Sequence, residues 1–209
     1  MTNLHKISNW GKRRTVKNLK ECKYELRDAI PRLFRAFNRA VELYNKEIVF
    51  TPVSSRGRGF EANYLNSKII QCIQKEFPDN WFFGKYKRFI LRKDGYLILF
   101  KKLNASNLPM NVQTKNTMAI GNQAMRSLFD EQDDIFEPIV FLGYRKNNFG
   151  ELTAPKLVYI DENKCKFEIT EKDLIEESVA KNTVTLESKL VTPMAVKPSA
   201  RQKKNMSDA

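Results

Sequence analysis

Residues 85–102 read KYKRFILRKDGYLILFKK, and this stretch decides the fold. At its centre Asp94-Gly95 is flanked by apolar runs. Both positions of a two-residue hairpin turn need positive φ, which Asp tolerates and Gly adopts freely, so the pair predicts a β-hairpin. A turn of that length fixes the register. Lys93 faces Tyr96; Leu91 faces Ile98, Phe89 faces Phe100 and Lys87 faces Lys102 on one face, while Arg92 faces Leu97, Ile90 faces Leu99 and Arg88 faces Lys101 on the other. The hairpin is apolar in the middle and doubly basic at its open end. Like charges directly opposite one another destabilise a strand pair. Two explanations stand: an anionic partner neutralises them, or the long side chains splay into water.

Upstream, Leu33, Phe37, Ala40, Val41, Tyr44 and Ile48 recur at helical spacing and predict an amphipathic helix over residues 29–49. Pro31 is compatible only with its first turn, so the helix starts near residues 28–30. Arg32, Arg35 and Arg39 follow at three- and four-residue steps and line one face, either solvated or contacting phosphates. Residues 51–59, TPVSSRGRG, form a breaker-rich loop in which Arg56 and Arg58 alternate with glycines. Close backbone approach and two forked donors suit a phosphate, although neither GxxxxGK[ST] nor GxGxxG is present to support a nucleotide cofactor. A second helix over residues 60–77 carries Leu65, Ile69, Ile70, Ile73 and Phe77 on one side and stops at Pro78. Trp81, Phe82 and Phe83 then lead into the hairpin, as core or as a platform for unpaired bases.

Downstream, residues 104–117 read as a polar loop and residues 120–134 as a short helix ending in an acidic patch. Residues 138–144 are a continuous apolar strand, 147–150 a turn, 156–160 a second strand, 161–164 a turn, and Cys165, Phe167 and Ile169 alternate along a third strand. The expected fold is therefore α+β: about five antiparallel strands, a central hairpin and a C-terminal meander, packed against two or three helices on one face of the sheet. Residues 1–20 are expected to be a basic flexible arm, 21–175 a single α+β domain, and 176–209 a largely disordered basic tail. The run Leu108-Pro109, Asn111, Thr114-Lys115, Gln123 and Leu128-Phe129, followed by Gly143-Tyr144 and Gly150, resembles a segment of uncharacterised proteins of bacterial prophages and plasmids found near helix-turn-helix regulators. The resemblance covers about residues 108–169. It implies a phage-defence, toxin–antitoxin or regulatory setting and carries no catalytic residues with it.

The charge is unevenly placed. Of the net +13, residues 1–104 hold 23 Lys and Arg against 9 Asp and Glu, a local +14, whereas residues 105–190 are net −4 and the last segment +3. A basic half points to a polyanion, DNA or RNA before an anionic membrane or acidic protein. Cys22, Cys72 and Cys165 are widely spaced, and His5 is the one histidine, so neither a disulfide framework, a zinc site nor a His-based nucleophile is readable. No signal peptide or membrane span is apparent, and a cytoplasmic, soluble protein without cofactor or metal is expected.

The leading expectation is non-catalytic binding of DNA or RNA through phosphate contacts from Lys12, Arg13, Arg14, Arg32, Arg35, Arg39, Arg56, Arg58, Lys85, Lys87, Arg88, Lys101 and Lys102. The alternative is a protein–protein effector, an inhibitor or toxin–antitoxin component acting through the basic surface or tail on an acidic or nucleic-acid-binding partner. A third reading, a Mg²⁺-dependent nuclease, would need Glu151, Asp161, Glu162 and Lys164 to cluster, against the plainer reading of residues 161–164 as a solvated turn.

Overall fold

The computed structural model describes residues 14–110, 112–124, 137–147, 150–152 and 155–174. The hairpin forms as expected. Asp94 and Gly95 have φ of 49° and 77°, and Leu91↔Ile98, Arg92↔Leu97 and Lys93↔Tyr96 pair in the register that a two-residue turn dictates. Strands β2 (Arg88–Lys93) and β3 (Tyr96–Lys102) sit inside a six-stranded sheet with β1 (Trp81–Gly84), β4 (Ile139–Tyr144), β5 (Lys156–Asp161) and β6 (Lys164–Thr170), in sequential order. The protein is α+β.

Two features depart from the sequence expectation. Trp81–Gly84 is itself a strand, antiparallel to β2, and β3 and β4 run parallel, from Leu97↔Ile139 to Lys102↔Tyr144. A parallel pair cannot be closed by a tight turn and needs a crossover, supplied here by the chain from 103 to 138. The all-apolar β4, buried along its whole length, reflects this central position between two covered faces.

On one face lie three helices. Asn18 caps α1 (Leu19–Glu25) by accepting from Glu21 N at 2.9 Å, and α2 (Ala29–Ile48) carries Pro31 in its first turn, where no backbone donor is required. Gly59, at φ 82°, opens α3 (Phe60–Glu76), which ends before Phe77-Pro78. Ile30, Leu33, Phe34 and Phe37 of α2 pack with Leu65, Ile69 and Ile73 of α3 against Leu91, Ile98 and Leu142 of the sheet.

The opposite face is covered more thinly. There Ile90, Leu99, Phe141, Val158 and Ile160 meet Leu103, Leu108 and Ile120 of the crossover, which carries α4 (Lys115–Gly121). The molecule thus has three layers rather than helices on one face only. Thr114 caps α4 with a reciprocal bond to Thr117, so the helix starts five residues earlier than its apolar residues suggest. Gln123 locks this layer to the sheet. Its buried amide donates to Ile139 O at 2.9 Å and Ile160 O at 2.7 Å, and its oxygen accepts from Ile139 N at 2.9 Å. Gly143 lets the crossover lie close, since a Cβ there would overlap the Leu103 side chain.

Residues 14–20 of the expected arm are held against the domain, and residues 1–13 lie outside the described residues. Arg14 is 3% exposed, its amide donates to Gln123 O at 2.8 Å and its guanidinium to Glu137 O at 3.0 Å. Lys17 is paired with Glu25, which also accepts from the buried Tyr96 hydroxyl at 2.6 Å. The basic tail expected at 176–209 lies outside the described residues.

Candidate functional site

The thirteen cations expected to grip phosphates are sorted by the fold into three groups. Lys12 and Arg13 lie outside the described residues.

Arg14, Arg32, Arg35 and Arg56 have polar partners within the protein, with Arg14 buried and Arg35 at the surface. Burial pushes the Arg14 guanidinium down to about 10, partly offset by Glu137, and it faces no solvent surface a phosphate could use. On α2, Arg32 Nε donates to Glu76 at 2.9 Å, its Nη2 to the Glu76 carbonyl, and its plane lies 4.4 Å from the Phe77 ring centroid. Arg35 reaches the same carboxylate at 3.4 Å. Arg56 uses its whole fork: Nε to Thr51 O, Nη2 to Ile48 O and Nη1 to Glu61, all within 3.1 Å. Arg56 is therefore a cap on the end of α2, where carbonyls point out unsatisfied. Each of the four has a carbonyl or carboxylate partner within the protein, most completely for Arg56 and least for Arg35, whose side chain is 68% exposed. Arg39 is exposed on α2 with no ion pair among the described residues.

The remaining six, Arg58, Lys85, Lys87, Arg88, Lys101 and Lys102, have no carboxylate partner among the described residues, and the topology brings them to one end of the sheet. Gly84↔Arg88 closes the β1–β2 connection there, β3 ends there at Lys101 and Lys102, and the loop carrying Arg58 adjoins Lys102 in a groove of about 360 Å³ with Arg56, Tyr144 and Lys146. Lys85 and Lys87 stand exposed in the β1–β2 turn. Tyr86 and Lys87 both adopt left-handed φ, 59° and 53°, a conformation costly for residues other than glycine.

Arg88 and Lys101 behave differently from their neighbours. They do not splay into water: both are half-buried, and the Arg88 Nη1 has no hydrogen-bond partner among the described residues. Burial pushes the Arg88 guanidinium below its usual range, and burial followed by repulsion from Arg88 does the same to the Lys101 ammonium. Leaving a buried charged donor unpaired costs about 1–3 kcal/mol. Both line a groove of about 570 Å³ on the thin face of the sheet, floored by Leu99, Phe141 and Ile160. Lys102, next in sequence, points to the opposite face.

Three further basic residues reach the same end and escaped the sequence reading. β4 runs out at Tyr144 into Arg145 and Lys146, and β5 begins at Lys156, paired to Gly143. Arg145 donates to Ala105 O and Asn107 Oδ1, Lys146 pairs with Glu61 at 2.8 Å and Lys156 with Glu168 at 2.9 Å. They belong to the acidic part of the chain, so a charge count along the sequence hides them; only the strand register brings them in.

The aromatic run is split. Trp81 packs 5.9 Å from Phe89, Phe82 joins the thin-face core, and Phe83 is 51% exposed. The four residues weighed for nuclease chemistry are not brought together. Glu151 is hydrogen-bonded to Asn147 near the start of β5, whereas Asp161 and Glu162 lie at its far end, about 15 Å away at the rise of a strand. Glu162 and Asn163 form a tight turn with φ of 51° and 56°, and Glu162 pairs with Lys166. Among the described residues no group of three or more His, Cys, Asp and Glu could hold a metal ion, and no helix is long and apolar enough to cross a membrane.

No protein-family model, curated protein or solved structure matches this chain.

Proposed function

We propose that this is a cytoplasmic nucleic-acid-binding protein, without catalysis, that grips phosphates with the basic end of its sheet. The observation that carries the reading is the convergence of Lys85, Lys87, Arg88, Lys101 and Lys102 at one end of the sheet, with the loop that carries Arg58 beside Lys102 and no carboxylate partner for these cations among the described residues. Arg88 and Lys101, set side by side with no carboxylate in their groove among the described residues, repel one another, and a polyanion relieves that repulsion. Phosphate contacts position a nucleic acid without reading its bases, so little sequence discrimination is expected. The resemblance of residues 108–169 to prophage and plasmid proteins fits a role in a mobile element, its defence or counter-defence.

Binding of labelled single- and double-stranded DNA and RNA across a salt series tests this, with and without Mg²⁺. Six phosphate contacts on B-DNA predict a log–log salt slope of about −5 and no cleavage. No binding at ~50 mM salt would overturn it.

A second reading has its own observation. Val49, Phe50 and Val53, after α2, are 68%, 81% and 75% exposed, an apolar cluster suited to a protein partner. A nuclease-resistant stoichiometric complex lost on Phe50→Ser would favour it.

A further inference from the structure

We propose that the groove on the thin face of the sheet is a binding site for a small amphipathic anion, an apolar chain ending in a carboxylate or phosphate. The head would sit on Arg88 and Lys101 and the chain on Leu99, Phe141 and Ile160.

The groove joins two chemistries that rarely meet without a ligand. Two cations on neighbouring strands share one partly desolvated corner with no carboxylate among the described residues, and one guanidinium nitrogen is shut off from solvent without an acceptor. Bare repulsion would swing such flexible side chains into water; here both stay against the groove wall. Burial lowers the proton affinity of each, as expected where charge is held short of its counter-ion. Directly beside them the lining turns apolar and deepens to Phe141 and Ile160 in the sheet. Met110 and Val112 stand at its mouth, 57% and 84% exposed. At about 570 Å³ the groove falls in the range of small-molecule sites, ~300–1,000 Å³. A phosphate backbone alone makes no use of such a floor, so the ligand needs an apolar body. A forked guanidinium and an ammonium fit one carboxylate or phosphate head.

This site shares two residues with the basic end but does not depend on nucleic-acid binding. Titration calorimetry on the full chain would compare decanoate, decyl phosphate, decan-1-ol and inorganic phosphate. One of the two amphipathic anions should bind once per chain, about 10-fold or more tighter than either the alcohol or inorganic phosphate. Arg88→Gln and Lys101→Met should each weaken it about 10-fold. Val112→Asp, an exposed change that leaves the core intact, should weaken it as well, whereas Lys85→Glu with Lys87→Glu should leave it unchanged while reducing nucleic-acid affinity. Preference for decanoate or for decyl phosphate assigns the head group. Equal binding of decan-1-ol, no binding of either anion, or anion binding indifferent to both Arg88→Gln and Val112→Asp would overturn the proposal.

Discussion

Arg32 and Arg35 on α2, and Arg88 and Lys101 on the sheet, are two pairs of cations that look alike in the sequence and end in opposite circumstances. The first pair converges on Glu76, with Arg32 stacked on Phe77. The second lies half-buried beside an apolar floor with no acid to meet. Positive charge on a face is thus a poor guide to binding; what matters is whether the fold supplies its own counter-charge. A cation with a carboxylate partner contributes to stability, and its removal costs. One held against an apolar wall without a partner detracts from stability, and its retention needs another reason.

That contrast can be broken by mutation. Arg56→Ala should have the largest effect, destabilising by about 2–3 kcal/mol in chemical denaturation, because it frees the Ile48 and Thr51 carbonyls and leaves Glu61 with Lys146 alone. A neutral result would remove Arg56 from the paired class. Arg32→Ala should cost about 1 kcal/mol, the surface pair with Glu76 being partly screened and the contact with Phe77 adding to it. Lys101→Met should act with the opposite sign, raising stability by about 0.5–1 kcal/mol, or a few °C in melting temperature, since it removes a desolvated charge beside Arg88. A lower melting temperature would mean that Lys101 has a stabilising partner after all.

The smallest effect concerns acid. Hydrogen bonds from Lys146 and Arg56 hold the Glu61 carboxyl below its usual value near 4.5, and Arg32 does the same to Glu76. A carboxylate whose folded pKa is depressed stabilises above its unfolded value and loses that contribution as pH falls through the folded one. Melting temperature should therefore decline below about pH 4.5, and less steeply in Arg56→Ala than in the wild type. Equal slopes would show that the Arg56–Glu61 bond does not contribute.

Much of the fold was legible because local rules and tertiary needs agreed. Asp94-Gly95 set both the turn and its register, Pro31 and Pro78 bracketed the helices, and the alternation of Cys165, Phe167 and Ile169 marked an edge strand. The parallel pairing of β3 with β4 was not legible, since strand direction depends on where a long crossover returns the chain, and nothing local records it. α4 was misplaced because the apolar residues that suggested it follow its start: the Thr114–Thr117 capping box sets that start inside the polar loop. The site was only half readable. Sequence located the basic hairpin end, yet it placed Arg56 among the phosphate contacts because an arginine in a glycine-rich loop looks accessible; the Ile48 carbonyl it caps belongs to a helix end eight residues upstream. Arg145, Lys146 and Lys156 were missed because they lie in residues 105–190, where 14 Asp and Glu outnumber 10 Lys and Arg.

The most direct test of the account compares two double variants that each remove two positive charges, Lys85→Gln with Lys87→Gln and Arg32→Gln with Arg35→Gln, in nucleic-acid binding at about 50 and 200 mM salt. The account predicts that the first pair loses about 10-fold or more in affinity and flattens the salt slope, while the second changes affinity by less than about 2-fold. Equal losses from the two pairs would contradict it, because binding would then follow total charge rather than the cations that the fold leaves unneutralised.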